Sequence, residues 1–363
     1  MLDQAKVYAA YDPDDIAYGI DHLAEQVRLA WSESRLVKFP ASYKTCSNIV
    51  IAGMGGSALG PDMLQSVFFN NLTVPVTIVR GYDLPAFVDN KTLVLLSSFS
   101  GTTEEVLEAA VVAKKRKAKI MAIAAATVGH DRRGEVGLQE LAAKEGWPMY
   151  VFTPGDLAKQ PRLGTGFSLA GILGMMSTLE YVKFGEADVR RLLTAMGDVL
   201  DTCAVDVLVK DNPAKTVAQS LHGRTVFVIG AEHLLGNAHV LSNQINETSK
   251  QFATYFALPE LNHHLLEGLT FPKGFIKNVT VLMLRSAHYH ERVQKRFKVT
   301  ADIFERIGIE VIEYDCGGKD AIEECGEVLQ YGSFLSYYLA MLNYVNPTPI
   351  PFVDEFKERM SAS

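Results

Sequence analysis

The chain has 363 residues, 48% of them apolar and 21% charged, enough for two domains of ordinary size around a large core and incompatible with a disordered chain. Its formal net charge of −7 argues against a nucleic-acid partner. Cys46, Cys203, Cys316 and Cys325 show no CxxC spacing, so they predict neither a metal site nor a disulfide framework, and they suit a reducing, cytoplasmic setting.

The opening MLDQAKVYAAYDPDD lacks a cationic start and an apolar run, and does not read as a signal peptide. Strands and helices then alternate. Apolar runs predict strands at 48–52, 76–79, 92–96, 120–124 and 148–152, with helices at 60–69 and 106–113 between them. The polar stretch Thr127–Glu145 reads as a loop with a short helix. Helical patterns follow at 164–183 and 186–203. The apolar segment Phe167–Val182, broken by glycines and Glu180, is too short for a bilayer and predicts a core helix, so no membrane partner is expected. Strands resume at 225–229, 280–284 and 310–314, with helices at 291–307 and 321–342. Interleaving of this kind implies parallel sheets covered on both faces.

NIVIAGMGGSALG (Asn48–Gly60) and TVFVIGAEHLLGNA (Thr225–Ala238) share one design of apolar strand, glycine, polar turn and helix. The expected organisation is therefore two similar α/β domains, 1–185 and 186–363, of which only the first keeps the paired glycines and the serine.

Two strand-to-helix turns of the first domain have the composition of an anion site. In Gly53-Met54-Gly55-Gly56-Ser57 the glycines allow close backbone approach, and the next helix offers unpaired N–H groups. The competing reading is a turn shaped for tight packing. No Gly-Lys-Ser/Thr follows, which excludes a P-loop, and the dinucleotide fingerprint is incomplete. The second turn, Ser97-Ser98-Phe99-Ser100-Gly101-Thr102-Thr103, closes the third strand. Thr102 and Glu105 have capping-box spacing, so Thr102 is expected to cap the helix. Ser98, Ser100 and Thr103 then have no structural task. With Ser57 they compose a neutral phosphate pocket at the carboxyl ends of the strands.

GMGGS followed by SxSGxT resembles the sugar isomerase (SIS) domain. Together with Gln160-Pro161-Arg162, Asn246-Glu247, Pro259-Glu260-Leu261-Asn262-His263 and Asn346-Pro347-Thr348-Pro349, it is similar to the bifunctional phosphoglucose/phosphomannose isomerases over nearly the whole chain. The resemblance implies two SIS-type domains, each a mainly parallel sheet flanked by helices. It implies reversible isomerisation of glucose 6-phosphate, with mannose 6-phosphate as a further aldose, to fructose 6-phosphate through a cis-enediol. The phosphate falls to Gly55, Gly56, Ser57, Ser98, Ser100 and Thr103. The proton-moving base is Glu247, His263 opens the ring, Arg162 stabilises the enediolate, and Lys357 assists ring opening. Each has a plainer alternative: Glu247 as a helix carboxylate beside Lys250, His264 in place of His263, Arg162 as a surface arginine, Lys357 as part of an amphipathic helix end. The chemistry asks for no metal and no cofactor, and His288-x-His290 reads as a solvated helix start. The family is dimeric, which implies a homodimer with His263 donated across the interface. Relatives carry Asn-Glu where His264-Leu265 stands here. A non-catalytic phosphosugar sensor, or an isomerase of another sugar phosphate, remains open on the residues alone.

Overall fold

The computed structural model describes residues 1–126 and 137–361. In chain order it contains α1 (Ala5–Tyr11), α2 (Ile16–Asp21), α3 (Leu23–Ser34), β1 (Asn48–Gly53), α4 (Gly56–Val67), β2 (Val76–Val79), β3 (Thr92–Ser97), α5 (Glu104–Lys115), β4 (Lys119–Ala125), α6 (Leu138–Glu145), β5 (Met149–Phe152), α7 (Thr165–Thr178) and α8 (Glu186–Cys203). Then follow α9 (Pro213–Leu221), β6 (Thr225–Ala231), α10 (Leu235–Ser249), β7 (Ala253–Leu258), α11 (Leu265–Gly268), β8 (Val279–Arg285), α12 (Glu291–Arg306), β9 (Glu310–Asp315), α13 (Ala321–Leu342) and α14 (Pro351–Ser361). Of the polar stretch expected as a loop with a short helix, α6 is present, and residues 127–136 lie outside the described residues.

By contacts the chain forms two units. One comprises residues 22–189 with 350–363, the other 1–21 with 190–349, whereas the sequence suggests a single cut after residue 185. The opening helices belong with the later residues for a physical reason: Gln330 Nε2 donates to the Ile20 carbonyl at 2.8 Å, and Tyr337 Oη donates to Asp12 Oδ2 at 2.9 Å.

The 22–189 unit holds a five-stranded parallel sheet ordered β2-β1-β3-β4-β5. Both faces are buried, as parallel sheets require. Val50, Ala52, Val94, Leu96, Ile120, Ala122 and Ala124 face one core with Val106, Ala109, Ala110 and Ala113 of α5. The alternate residues Ile49, Ile51, Leu93, Leu95, Met121 and Ile123 are equally buried. Helix α7 is buried at every position from Thr165 to Met176. It is the expected core helix, and among the described residues no helix is long and apolar enough to cross a membrane.

The 190–349 unit repeats the plan with a four-stranded parallel sheet, β7-β6-β8-β9. Strand β7 has no counterpart among the strands expected from sequence. The α/β architecture of two helix-flanked parallel sheets is as expected.

Helix α4 contains Pro61 in its interior. Proline has no N–H for the carbonyl four residues back, that of Ser57. The buried Ser97 hydroxyl donates to this carbonyl instead, at 2.8 Å, so the end of β3 replaces the missing helix bond and fixes the start of α4. Ser97→Ala should therefore lower stability by about 1–3 kcal/mol, the cost of a buried acceptor left unmade. Equilibrium urea unfolding reads this directly, and an unchanged midpoint would show that the carbonyl is satisfied otherwise.

Candidate functional site

The two expected phosphate turns lie at the carboxyl ends of neighbouring parallel strands, β1 and β3. Gly55 has φ +48° and ψ −130°, a conformation open to glycine and strained for other residues. Gly56 begins α4, and a Cβ there would lie 2.7 Å from the Pro161 carbonyl carbon and 2.9 Å from Arg162 N. The glycine pair thus serves packing as well as any ligand: it lets a third segment, Gln160-Pro161-Arg162, press its backbone against the turn.

The hydroxyls are more engaged than the sequence suggests. Ser57 Oγ accepts from Phe99 N at 2.7 Å, which ties the first turn to the second. Ser98 Oγ accepts from Gly101 N at 3.0 Å and lies 2.7 Å from Thr103 Oγ1. Ser100 Oγ accepts from Thr102 N at 3.2 Å. The expectation that Ser98, Ser100 and Thr103 have no structural task is therefore corrected, since each shapes the turn. The capping box is corrected too. Helix α5 begins at Glu104 with Thr103 at the N-cap position and no side-chain cap bond, because the Thr103 hydroxyl is bonded to Ser98.

Hydrogen counting shows that these bonds leave donors over. The Ser57 oxygen accepts from Phe99 and keeps its own O–H to give. In the Ser98–Thr103 pair one O–H is used between the two oxygens and the other remains. Gly56, Ser57, Ser98, Phe99, Gly164 and Ser168 line one small cavity behind the turns. Ser97, Gly164 and Ser168 were not singled out from sequence. Their only signal was membership of the serine run and of the segment after Arg162.

Arg162 lies on a one-turn 3₁₀ helix, Pro161–Leu163, and is 1% exposed. It is not the surface arginine of the plainer alternative. Its turn is held from beneath by the buried Gln26, whose Nε2 donates to the Leu157 and Leu163 carbonyls at 2.7 and 2.9 Å. In this unit the structure thus brings together Gly55, Gly56, Ser57, Ser98, Thr103 and the Arg162 backbone, with Ser100 exposed at the rim. Lys357 lies on α14, whose described side chains are all exposed.

In the other unit, Glu247 is half-buried on the last turn of α10. Asn246 positions it: its Nδ2 donates to the Ser242 and Ala253 carbonyls at 2.9 and 2.7 Å, and its Oδ1 accepts from Ala253 N at 3.0 Å. Lys250 Nζ donates to the backbone carbonyls of Glu247 and Pro347, at 2.6 and 2.9 Å. His263 ends a 3₁₀ turn, Glu260–His263, and it and His264 are both exposed. His290 occupies the N-cap of α12, with Nδ1 accepting from Arg292 N at 3.1 Å.

The repeat is visible in the backbone. A Cβ on Gly53 would meet the carbonyl oxygen of Ser57 at 3.2 Å, and one on Gly230 would meet that of Leu234 at 2.9 Å. Two residues on, Gly55 and Glu232 both have positive φ, +48° and +42°. His233 then stands where Gly56 stands, with Nε2 2.5 Å from the fully buried Glu324 carboxylate. The Glu232 carboxylate accepts from His290 N at 3.1 Å. Tyr289 Oη donates to the Leu284 carbonyl at 3.1 Å, and burial raises its phenol pKa well above the ordinary value, which keeps it a neutral donor. The second copy keeps the turn and fills it with its own side chains.

Gly56→Ala tests the three-segment contact. Its Cβ would meet backbone, which yields little, so the variant should lose about 1–3 kcal/mol of stability. It should also bind inorganic phosphate more weakly, read by calorimetric titration. Wild-type stability with wild-type phosphate binding would show that the segments separate without cost.

Residues 210–360 match the family model described as the bacterial phospho-glucose isomerase C-terminal SIS domain. The chain is 29% identical over 344 residues to the bifunctional phosphoglucose/phosphomannose isomerase of Caldicellulosiruptor bescii, covering 94% of this chain and 97% of that protein. It is 28% identical over 332 residues to the protein of the same name from Thermoplasma acidophilum, covering 90% and 94%. In three dimensions it resembles a hypothetical protein of Thermus thermophilus, with a TM-score of 0.75 at 17% identity over 98% of this chain and 92% of that one, a likeness of fold. With its two parallel sheets and paired strand-to-helix turns, the chain is a member of the SIS-domain sugar-isomerase superfamily.

Proposed function

We propose that the chain is an aldose–ketose isomerase that interconverts glucose 6-phosphate, and with it mannose 6-phosphate, with fructose 6-phosphate. The observation that carries this reading is the pair of hydroxyl-rich turns locked together by Ser57 and Phe99, with a buried arginine on the segment pressed against them. Uncharged donors and helix N–H groups suit a phosphate dianion that must also be released. The names of the full-length relatives point the same way.

In this reading Gly55, Gly56, Ser57, Ser98, Ser100 and Thr103 hold the phosphate. His263 moves the proton that opens the ring, and Lys357 assists. Glu247 takes the C2 proton of the aldose and returns it to C1 while the C2 hydroxyl proton passes to O1, so atoms and electrons balance and no redox partner is consumed. Arg162 stabilises the enediolate oxygen as charge develops. The reaction is chosen over a phosphosugar sensor because a sensor needs only the turns. It has no use for a buried Arg162 or for a Glu247 fixed by three Asn246 hydrogen bonds.

Glu247→Gln should reduce turnover of fructose 6-phosphate about 10²–10⁴-fold while thermal stabilisation by fructose 6-phosphate persists. A coupled assay that detects glucose 6-phosphate and mannose 6-phosphate separately settles the product range. Turnover within tenfold of wild type rules out Glu247 as the base.

We further propose a homodimer in which His263 acts in the partner's site. In support, His263 is exposed on its turn, and Phe271 nearby in sequence, with Phe352 and Phe356 of α14, leaves 65, 85 and 62% of its surface open in the single chain. Mixing Glu247→Gln with His263→Ala after subunit exchange should restore part of the activity. Proven heterodimers without recovery contradict donation in trans.

A further inference from the structure

Helix α12 carries its own cationic face. Arg292, Lys295, Arg296 and Val299 follow at the i, i+3, i+4, i+7 spacing that aligns side chains, opposite the buried Val293, Phe297, Ala301 and Phe304. With Asn262 of the Glu260–His263 turn and Leu266 of α11 this face lines an open depression of about 300 Å³, at the small end of the range for ligand sites. The three cations supply its charge, and Leu266, Val299 and Ile303 supply apolar wall.

No carboxylate is among the residues lining the cavity. Among the described residues, Arg292 and Lys295 have no carboxylate partner. The chain has 42 acidic residues against 35 basic ones, so partners were available, and like charges gathered in a concavity repel one another. A basic helix face that is merely solvated is convex and needs no apolar wall. This one is concave and has one.

Arg296 has a second attachment. Its Nη1 donates to Asn262 Oδ1 at 3.1 Å, and Asn262 Nδ2 donates to Thr300 Oγ1 at 2.8 Å. Asn262 immediately precedes His263. An anion that draws the Arg296 guanidinium into the cavity competes with Asn262 for it.

We propose that this cavity is an anion site separate from the hydroxyl turns. It takes a small organic phosphate whose charge meets Arg292, Lys295 and Arg296 and whose carbon body lies against Leu266, Val299 and Ile303. Its occupancy alters the turn that carries His263. This site does not rest on the proposed isomerisation.

Hydrogen–deuterium exchange of the full chain, with inorganic pyrophosphate as probe, tests this. The expected result is slower exchange in peptides spanning 291–303 and altered exchange in 259–266. Both effects should disappear in the Arg292→Ala/Lys295→Ala variant, whose substituted side chains are exposed and whose melting should not change. Effects confined to residues 97–105, persistence in the double variant, or an equal effect of sodium chloride at matched ionic strength would each overturn the proposal. Because peptides 97–105 report on the hydroxyl turns separately, failure here and failure of the proposed isomerase are distinguishable.

Discussion

The contact on which the candidate site depends is the approach of the Pro161–Arg162 backbone to Gly56. There is no room for a side chain between them: a Cβ would sit 2.7–2.9 Å from three backbone atoms. That contact sets the start of α4, and the start of α4 sets where Ser57 can reach Phe99 N. The Ser97 hydroxyl then closes the arrangement by taking the place of the N–H that Pro61 lacks. Three segments far apart in sequence become one rigid end of a parallel sheet, and the buried Arg162 is carried on one of them. Preorganisation of this kind keeps hydroxyl donors aimed, so that they need not be ordered when a ligand arrives.

The same backbone turn recurs in the other unit with Glu232 and His233 where the first has Gly55 and Gly56. Gly230 repeats the close approach of Gly53, and Glu232 tolerates the positive φ that Gly55 adopts. With His233 in place of Gly56 and its imidazole against Glu324, the space is filled from within. A buried ionisable pair is weak evidence of stability, and losing one partner would leave the other buried without its mate. In the proposed reading the duplicated fold divides its labour. One copy keeps open hydroxyl turns, and the other carries Glu247 at the opposite, carboxyl-terminal end of α10 and His263 just after β7.

Much of this was legible in the sequence because parallel strands buried on both faces read as apolar runs, as in Asn48–Gly53 and Thr92–Ser97. Strand β7 was not: Asn246 of the preceding helix, rather than a turn motif, fixes its start, and Ala253 and Leu258 are its only buried residues. The capping box misled because its spacing is satisfied one residue early, while the true N-cap, Thr103, commits its hydroxyl to Ser98. The burial of Arg162 depends on Gln26, more than 130 positions away in sequence. The union of residues 1–21 with the later unit rests on bonds such as Tyr337 to Asp12. No local pattern encodes partners at such separations. The hydroxyls around Gly101 stood out correctly as unusual, but their structural tasks could be seen only once their acceptors and donors were placed.

The central claim is that the locked turns of the 22–189 unit recognise the phosphate of a sugar. The most direct measurement is calorimetric titration of the protein with fructose 6-phosphate and, separately, with fructose. The account predicts saturable binding of fructose 6-phosphate that inorganic phosphate competes away and that Ser57→Asp abolishes, with no measurable binding of fructose. Equal binding of both sugars, or fructose 6-phosphate binding unaffected by Ser57→Asp, would contradict it.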